Sequence, residues 1–405
     1  MLDCCVCKAK TINLQREFNF KVSIRLVPPF RLALIANQAF SLINFRGPLI
    51  QALVAAGVEV FALAPDYDTA TREKLRLLGA VPVDYSLSRT GMNPLRDGLD
   101  MLRLALLLRG LRVDMSFAYF IKPVIYGTLA AWLARVPRRF AMIEGLGYAF
   151  TPSSDAEPWH RRFLRQVVSR MYQTGLKRAE RVFFLNDDDI ADFISTEIVS
   201  ASKVTKLGGI GVDLAEWQVV PSVTCPVTFL LAARLLREKG ILEYVQAARQ
   251  VKARYPQVRF VLLGGLDPNP GSLSHNEVQA WVAEGLLEWP GHVEVKPWLA
   301  QTSVFVLPSY REGVPRSTQE AMAMSRPVIT TDAPGCRETV VEGENGFLVP
   351  VRDVDALVRC MLRFIEQPSL IDSMGEKSRQ LAEERFDVHK INARILTALG
   401  VTPSA

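Results

Sequence analysis

From Arg31 onward, short apolar runs alternate with longer amphipathic stretches, and this alternation limits what the chain can fold into more than any other feature. The first unit is "RLALIA", a loop, and then "FRGPLIQALVAAGVEVFALAP", which reads as strand, helix, strand. Repetition of that unit argues for a parallel sheet covered by helices, because parallel neighbours need a long crossover between them. Further strands are expected at Val81 to Tyr85, Asp114 to Ala118, Phe140 to Ile143, Arg181 to Leu185 and Val204 to Leu207. Helices such as Pro94 to Arg109 and Trp159 to Arg178 lie between them. Residues 31–215 thus make one doubly wound domain.

The pattern breaks at "EWQVVPSVTCP", residues 216–226, where two prolines interrupt any helix before a fresh strand, "VTFLLAAR". That stretch is the expected linker. The second half repeats the scheme, with a strand at Val227 to Ala232, a helix at Ile241 to Arg254, and a strand at Arg259 to Leu263 that runs into Gly264 and Gly265. Strands at Val304 to Leu307 and Pro327 to Thr331 complete a second domain, residues 227–386, and a helix in 387–405 is expected to return to the first. A length of 405 residues fits two cores rather than one. The expected fold class is α/β, two Rossmann-like doubly wound domains facing a cleft. In such sheets ligands sit beyond the carboxyl ends of the strands.

With 49% hydrophobic and 22% charged residues, the composition excludes a disordered or fibrous chain. The net charge of +6 is uneven: residues 1–220 carry 28 Lys and Arg against 21 Asp and Glu, and the remainder 20 against 21. A basic half with Arg among apolar residues, as in "MLRLALLLRGLR" (Met101 to Arg112), suits an anionic membrane surface or nucleic acid. The favoured reading is plainer, an amphipathic core helix with a solvated face. No apolar run approaches the ~18 residues of a membrane span, so any membrane contact is peripheral. Three of the six cysteines crowd into "CCVC" (Cys4, Cys5, Cys7), and Cys225, Cys336 and Cys360 are scattered, so no disulfide framework is expected and a reducing cytoplasm is. Residues 1–30 lack a cleavage site and a sustained apolar region and read as a disordered extension, with zinc binding by the cysteine cluster as the alternative.

Two loops concentrate the chemistry. "ARLLREKG" (Ala233 to Gly240) leaves a strand and enters a helix, presenting Arg234, Arg237 and Lys239 beside that helix's amino terminus, where cations and the dipole favour phosphate. The alternative is a solvated basic turn. In "PSYREGVPRSTQEAMA" (Pro308 to Ala323), Gly313 lets backbone approach a ligand, Glu312 lies just before a helix and Glu320 in its second turn. A carboxylate accepting two hydrogen bonds suits vicinal sugar hydroxyls. The plainer readings are a helix-terminal charge for Glu312 and a surface charge for Glu320. Against the latter, Ala321, Met322 and Ala323 make an apolar setting in which an idle carboxylate is costly.

The stretch "REGVPRSTQEAMAMSRPVITTDAPGCRETVVEGENGFLVPVRD", with "FRGPLIQALVAAGVEV", "GGIGVDL" and "ARLLREKG", resembles the retaining GT-B glycosyltransferases of family four. The resemblance covers most of Arg31 to about Leu399, and the two glutamates match the family's E-x7-E spacing. It implies that Glu312 contacts donor-sugar hydroxyls, Glu320 the ribose, and Arg234 with Lys239 the diphosphate of a nucleotide sugar, expected to be UDP-linked. Amides near Gly313 and Val314 would complete the sugar pocket, with Gly264, Gly265 and the loop around Pro297 bordering the nucleobase. The chain departs from the family at Ala233, where Gly is frequent, and at "NQAFSLINFRG", where a Gly-rich loop is frequent. In "IEGLGYAF" (Ile143 to Phe150), Glu144 stands where many relatives have histidine, making it an acceptor-side candidate, or else a carboxylate capping a turn. With "FAYFIKPVIYG", this segment is similar to the branch acting on undecaprenyl-pyrophosphate-linked saccharides.

The resemblance therefore implies a transferase of a hexose or N-acetylhexosamine, peripheral on the inner face of the cell membrane, with no nucleic-acid partner. A sugar-nucleotide epimerase of similar fold and a non-catalytic binding subunit are the competing readings. The Asp pairs in "PDYD" (Asp66, Asp68), "NDDD" (Asp187 to Asp189) and "RDVD" (Asp353, Asp355) match a metal-binding D-x-D pattern. Each also fits a turn or a helix start. No metal and no cofactor is expected, because Arg234, Lys239 and helix amides already supply positive charge.

Overall fold

A computed structural model of the chain describes residues 30–88, 93–146, 159–267, 269 and 271–401. The cysteine cluster, the extension up to residue 29, and Gly147 to Phe150 of the acceptor-side segment lie outside the described residues. The first sheet contains β1 (Arg31–Ile35), β2 (Glu59–Ala64), β3 (Val81–Asp84), β4 (Met115–Tyr119), β5 (Arg138–Ile143), β6 (Arg181–Phe184) and β7 (Val204–Lys206). Its helices are α1 (Ala39–Asn44), α2 (Gly47–Ala55), α3 (Thr69–Leu77), α4 (Pro94–Leu111), α5 (Thr128–Leu133), α6 (Trp159–Leu176) and α7 (Asp187–Ser195). The second sheet contains β8 (Thr228–Ala232), β9 (Arg259–Leu263), β10 (Glu288–Gly291), β11 (Val304–Leu307), β12 (Val328–Thr331) and β13 (Gly346–Val349). Around it lie α8 (Ile241–Arg254), α9 (His275–Ala283), α10 (Lys296–Leu299), α11 (Arg316–Ala323), α12 (Val354–Glu366) and α13 (Ser369–Arg385), and α14 (Val388–Leu399) ends the chain's helices.

Strand order is β3-β2-β1-β4-β5-β6-β7 in one sheet and β10-β9-β8-β11-β12-β13 in the other, and neighbouring strands such as β1 with β2 and β8 with β11 run parallel. In each sheet the order reverses beside the first strand, at β1/β4 and β8/β11, so both crevices open at carboxyl ends. Central strands are largely apolar because both faces are covered: Leu32 to Ile35 and Phe229 to Leu231 have no exposed surface. One difference from the sequence reading follows β1. The stretch expected as a loop contains α1, whose first amide, that of Ala39, donates to Asp66 Oδ1 at 2.7 Å, a cap supplied from the end of β2.

The linker is held against the second domain. Arg326, fully buried, donates to Leu299 O (3.0 Å), Pro221 O (3.0 Å) and Ser222 Oγ (3.3 Å), and burial pushes its pKa down to about 10. Beyond α13 the chain crosses back: Val212 N donates to Phe386 O (2.9 Å), Val388 N donates to Val212 O (3.1 Å), and α14 packs on α2. Val388, Ile391, Ile395, Leu396 and Leu399 are buried there, and Arg138 of β5 donates to Leu399 O.

Helix α4 corrects the plainer reading of its leucines. Its inner face carries Asp97 and Asp100, each 2% exposed, the first bound by Lys122 Nζ at 2.9 Å and the second by Ser86 Oγ at 2.5 Å. Its outer face carries Leu95, Leu99, Leu102 and Leu106, exposed by 83, 56, 51 and 72%. Spacings of four, three and four residues align these leucines in one stripe, with Arg96 and Arg103 on one flank and Arg109 on the other, all exposed. Leu104, Ala105 and Leu108 on the inner face join the core as expected of an amphipathic helix, while the solvent-facing side is an apolar stripe between arginines.

Candidate active site

The loops after β8 and β11 meet because glycine lets them. Gly240 (φ 71°) ends the turn after β8, and a Cβ there would overlap the Pro308 carbonyl oxygen. Tyr310 N donates to Glu238 O at 2.9 Å, and Tyr310 Oη donates to Glu243 Oε1 at 2.7 Å. This seating brings Lys239 Nζ to 2.5 Å from Glu312 Oε1, with both side chains largely sheltered. Behind Glu312 its own N–H donates to Pro334 O at 3.0 Å. The cation expected at a phosphate and the carboxylate expected at a sugar are thus paired with each other.

Arg234 leaves the same loop in another direction, half-exposed, and binds Asp267 Oδ2 at 3.0 Å. Arg237 is occupied by Glu277 at 2.6 Å. Gly264 (φ 147°) follows β9 so closely under Ala233 that a Cβ would overlap that residue's carbonyl oxygen; its own oxygen accepts from Trp289 Nε1 at 2.9 Å. Gly265 lies beside His292. Pro297 is exposed in the first turn of α10, which follows β10, the neighbour of β9.

Glu320 is not idle. In the second turn of α11 its Oε1 forms an ion pair with Arg316 Nε at 2.8 Å, and Arg316 in turn covers the Phe45 ring at 5.3 Å. Burial pushes the Glu320 carboxyl up to about 7, and Arg316 offsets only part of that cost. A group poised there changes charge near neutrality.

The opposite wall comes from the first domain. Glu144, just past β5, forms an ion pair with Arg46, which is 2% exposed and enters from the turn before α2. Arg46 also donates to Met142 Sδ at 3.0 Å and lies 4.7 Å from the centre of the Tyr119 ring. Burial lowers the Arg46 pKa to about 10. Glu144 is thus neither free nor a turn cap. Its carbonyl oxygen is where a Cβ on Gly313 would fall, so the two walls touch backbone to backbone at Gly313. Val314 follows, buried. "FRG" gave no chemical signal, and its partner Glu144 lies 98 residues on; pairing a buried carboxylate with a buried arginine needs the fold.

The aspartate pairs each have a partner. Asp66 caps α1, Asp68 accepts from Thr71 N (2.7 Å) at the start of α3, and Asp353 accepts from Ala356 N (2.8 Å) at the start of α12, with Asp355 in that helix's first turn. At α7, Asp187 binds Lys206 (2.6 Å), Asp188 binds Arg337 (2.7 Å) and Asp189 binds Arg311 (2.6 Å). Among the described residues no group of three or more His, Cys, Asp or Glu is placed to hold a metal ion.

Comparison with known proteins bears on both domains. Residues 46–207 match the family described as "Glycosyl transferase 4-like domain", and residues 226–367 match "Glycosyl transferases group 1". The chain is 28% identical over 381 residues to the N,N'-diacetylbacillosaminyl-diphospho-undecaprenol alpha-1,3-N-acetylgalactosaminyltransferase of Campylobacter jejuni, covering 90% of this chain and 97% of that protein. It is 22% identical over 309 residues to the UDP-Gal:alpha-D-GlcNAc-diphosphoundecaprenol alpha-1,3-galactosyltransferase of Escherichia coli, covering 73% and 77%. The Anabaena protein HepE, solved with UDP and glucose, has the same fold, with a TM-score of 0.73 at 18% identity, covering 92% of this chain and all of that one.

Proposed function

The chain belongs to the group 1, family-four-like glycosyltransferases, and from that premise we propose that it moves a hexose or N-acetylhexosamine from a UDP-linked donor to a saccharide on undecaprenyl diphosphate. The observation that carries this reading is the Lys239–Glu312 contact at 2.5 Å, at the carboxyl ends of β8 and β11 and facing Glu144 across the cleft. Lys239 and Arg234 exchange their carboxylate partners for the donor's diphosphate, which releases Glu312 to accept from sugar hydroxyls. Glu320 accepts from the ribose. As the bond from the anomeric carbon to the diphosphate oxygen breaks, the acceptor oxygen bonds to that carbon on the same face, and its proton passes to the departing phosphate. The two cations stabilise the charge growing on that leaving group, each by about a hundredfold in rate. Arg46 holds Glu144 at the acceptor wall.

The test is an assay of labelled nucleotide sugars with an undecaprenyl-diphosphate-linked saccharide in excess chelator. Transfer from a UDP-sugar, undiminished by chelator, is the expected result. Activity lost to chelation and restored by magnesium or manganese would overturn the diphosphate assignment, and transfer to water-soluble glycans alone would overturn the acceptor assignment.

No helix of the described residues is long and apolar enough to cross a membrane, and the leucine stripe of α4 supports contact with one surface. Four leucines flanked by Arg96, Arg103 and Arg109 combine apolar insertion with about 1 kcal/mol per basic residue near an anionic lipid face. The full chain is expected to sediment with phosphatidylglycerol vesicles at low salt, and Leu99→Glu with Leu106→Glu to remain in the supernatant. Equal sedimentation of both proteins would remove α4 from the interface.

Glu320 gives a pH dependence. Because its ordinary pKa is 4.5 and its folded value about 7, the folded chain keeps a proton between these values that the unfolded chain has lost, so this group's contribution to stability falls as pH rises through that window. Ribose hydroxyls donate best to the ionised form. Affinity for uridine, which has the ribose hydroxyls and no phosphate to titrate, is therefore expected to rise about tenfold from pH 6 to pH 8, with proton release on binding, and Glu320→Gln to be flat. Titration calorimetry in buffers of different ionisation enthalpy measures both.

A further inference from the structure

Asn186 and the aspartates that follow it serve the first domain as the start of α7, yet most of their side-chain partners belong to the second domain. Asn186 has no exposed surface. Its Oδ1 accepts from Asp189 N at 2.8 Å, which caps the helix, while its Nδ2 donates to Gly313 O at 2.5 Å, across the cleft. Asp189, equally buried, accepts from Arg311 Nη2 at 2.6 Å, and Arg311 also reaches Asp192 at 2.6 Å. Residues 311 and 313 are thus both held by α7, and Glu312 lies between them.

A second route reaches the same loop. Glu312 N donates to Pro334 O, Gly335 (φ 75°) lies so close that a Cβ would overlap the Glu312 and Gly313 carbonyl oxygens, and Arg337, two residues on, pairs with Asp188 at 2.7 Å. The Arg337 pair is more than one-third exposed on both sides and is screened, whereas the Asn186 and Asp189 contacts are dry and carry most of the coupling. The bonds from Asn186 to Gly313, from Arg311 to Asp189 and Asp192, and from Arg337 to Asp188 join one domain to the other, so they exist only while the cleft is closed.

We infer that Asn186 and Asp189 are positioning residues for the Glu312–Gly313 loop, so that closing the cleft sets the carboxylate and the Gly313 backbone at the donor sugar. This rests on the reading of Glu312 as a sugar-binding residue. It assigns the metal-like "NDDD" run a role without metal: a first-domain clamp that reports closure to the second domain's site. Donor bound to an open cleft meets a loop not yet in register, which favours transfer over loss of the sugar to water.

The test uses the full chain with Asn186→Ser, which keeps a helix-capping oxygen but cannot reach Gly313, and Arg311→Lys, which keeps the charge but loses the fork that spans two carboxylates. Hydrogen exchange of a peptide covering residues 309–315 is read beside kcat and the donor KM. Both variants are expected to exchange faster in that peptide and not in β8 or β9. The expected fall in kcat is about ten- to a hundredfold, as for a reacting group displaced by about 1 Å, with the donor KM changed less. Unchanged exchange at 309–315 would overturn the positioning role outright. Faster exchange with unchanged kcat would retain the clamp and overturn the assignment of Glu312 to the sugar. Loss confined to KM, with kcat intact, would make α7 a part of donor binding rather than of loop placement.

Discussion

Glu312→Ala is expected to lower transfer by about a hundredfold, the scale for a donor sugar no longer held in its reacting position. The side chain pairs with Lys239 at 2.5 Å, and the contacts with residues 334 and 335 are made by the backbone of residue 312, which alanine keeps. A cooperative melt should therefore persist. The charge arithmetic distinguishes this variant from one that merely disturbs the site. Removing Glu312 takes away the competitor for Lys239, so UDP should bind at least as tightly as to the wild type while turnover collapses. Lys239→Ala should do the opposite and weaken UDP more than uridine, since its target is phosphate. Initial rates at saturating donor, with calorimetry for UDP and uridine, resolve the two; Glu312→Ala turning over within about threefold of wild type would end the assignment.

The largest effect on stability is expected at Arg46. Truncation to alanine strands the Glu144 carboxylate in a site with almost no solvent, and breaking a buried pair from one side costs about 3–5 kcal/mol. For a domain of this size that is a fall in melting temperature of roughly 6–20 °C. The double variant Arg46→Met with Glu144→Gln leaves no buried charge and should recover most of the loss, because the penalty comes from the unpaired ion and not from absent attraction. If the double variant melts as low as the single one, packing against Tyr119 and Met142 matters more than charge. Thermal melts of the three proteins at one pH decide it.

Strands β8, β9 and β11 were legible because a doubly covered parallel strand is apolar through its middle, and the runs "FLLA", "FVLL" and "VFVL" obey that constraint. The edge strand β10, "EWPG", was not, since an edge position with an irregular register tolerates proline and charge. Helix α1 escaped notice because its cap, Asp66, comes from 27 residues away. The direction of α4 was hidden by leucines on both faces; what settles it is where Asp97 and Asp100 find Lys122 and Ser86, a tertiary fact. Of the site, Glu312, Glu320 and Lys239 stood out through spacing along one or two loops. Arg46 and Arg311 did not: Arg46 meets Glu144 only through the fold of the first domain, and Arg311 meets Asp189 only once the two domains have been stacked.

The return of α14 to α2 has a consequence for how the molecule is made. A chain leaves the ribosome amino end first, at about 5–20 residues per second, and domains tend to fold as they emerge. Arg138 must wait for its partner at Leu399, 261 residues later, which is roughly 13–50 s of synthesis at that pace. Throughout that interval the seat for Val388, Ile391, Ile395 and Leu399 lies uncovered on a half-built first domain. A nascent chain stalled before α14 presents that apolar seat to chaperones, and a fragment ending at residue 215 should be captured by them or aggregate, whatever the quality of its own sheet.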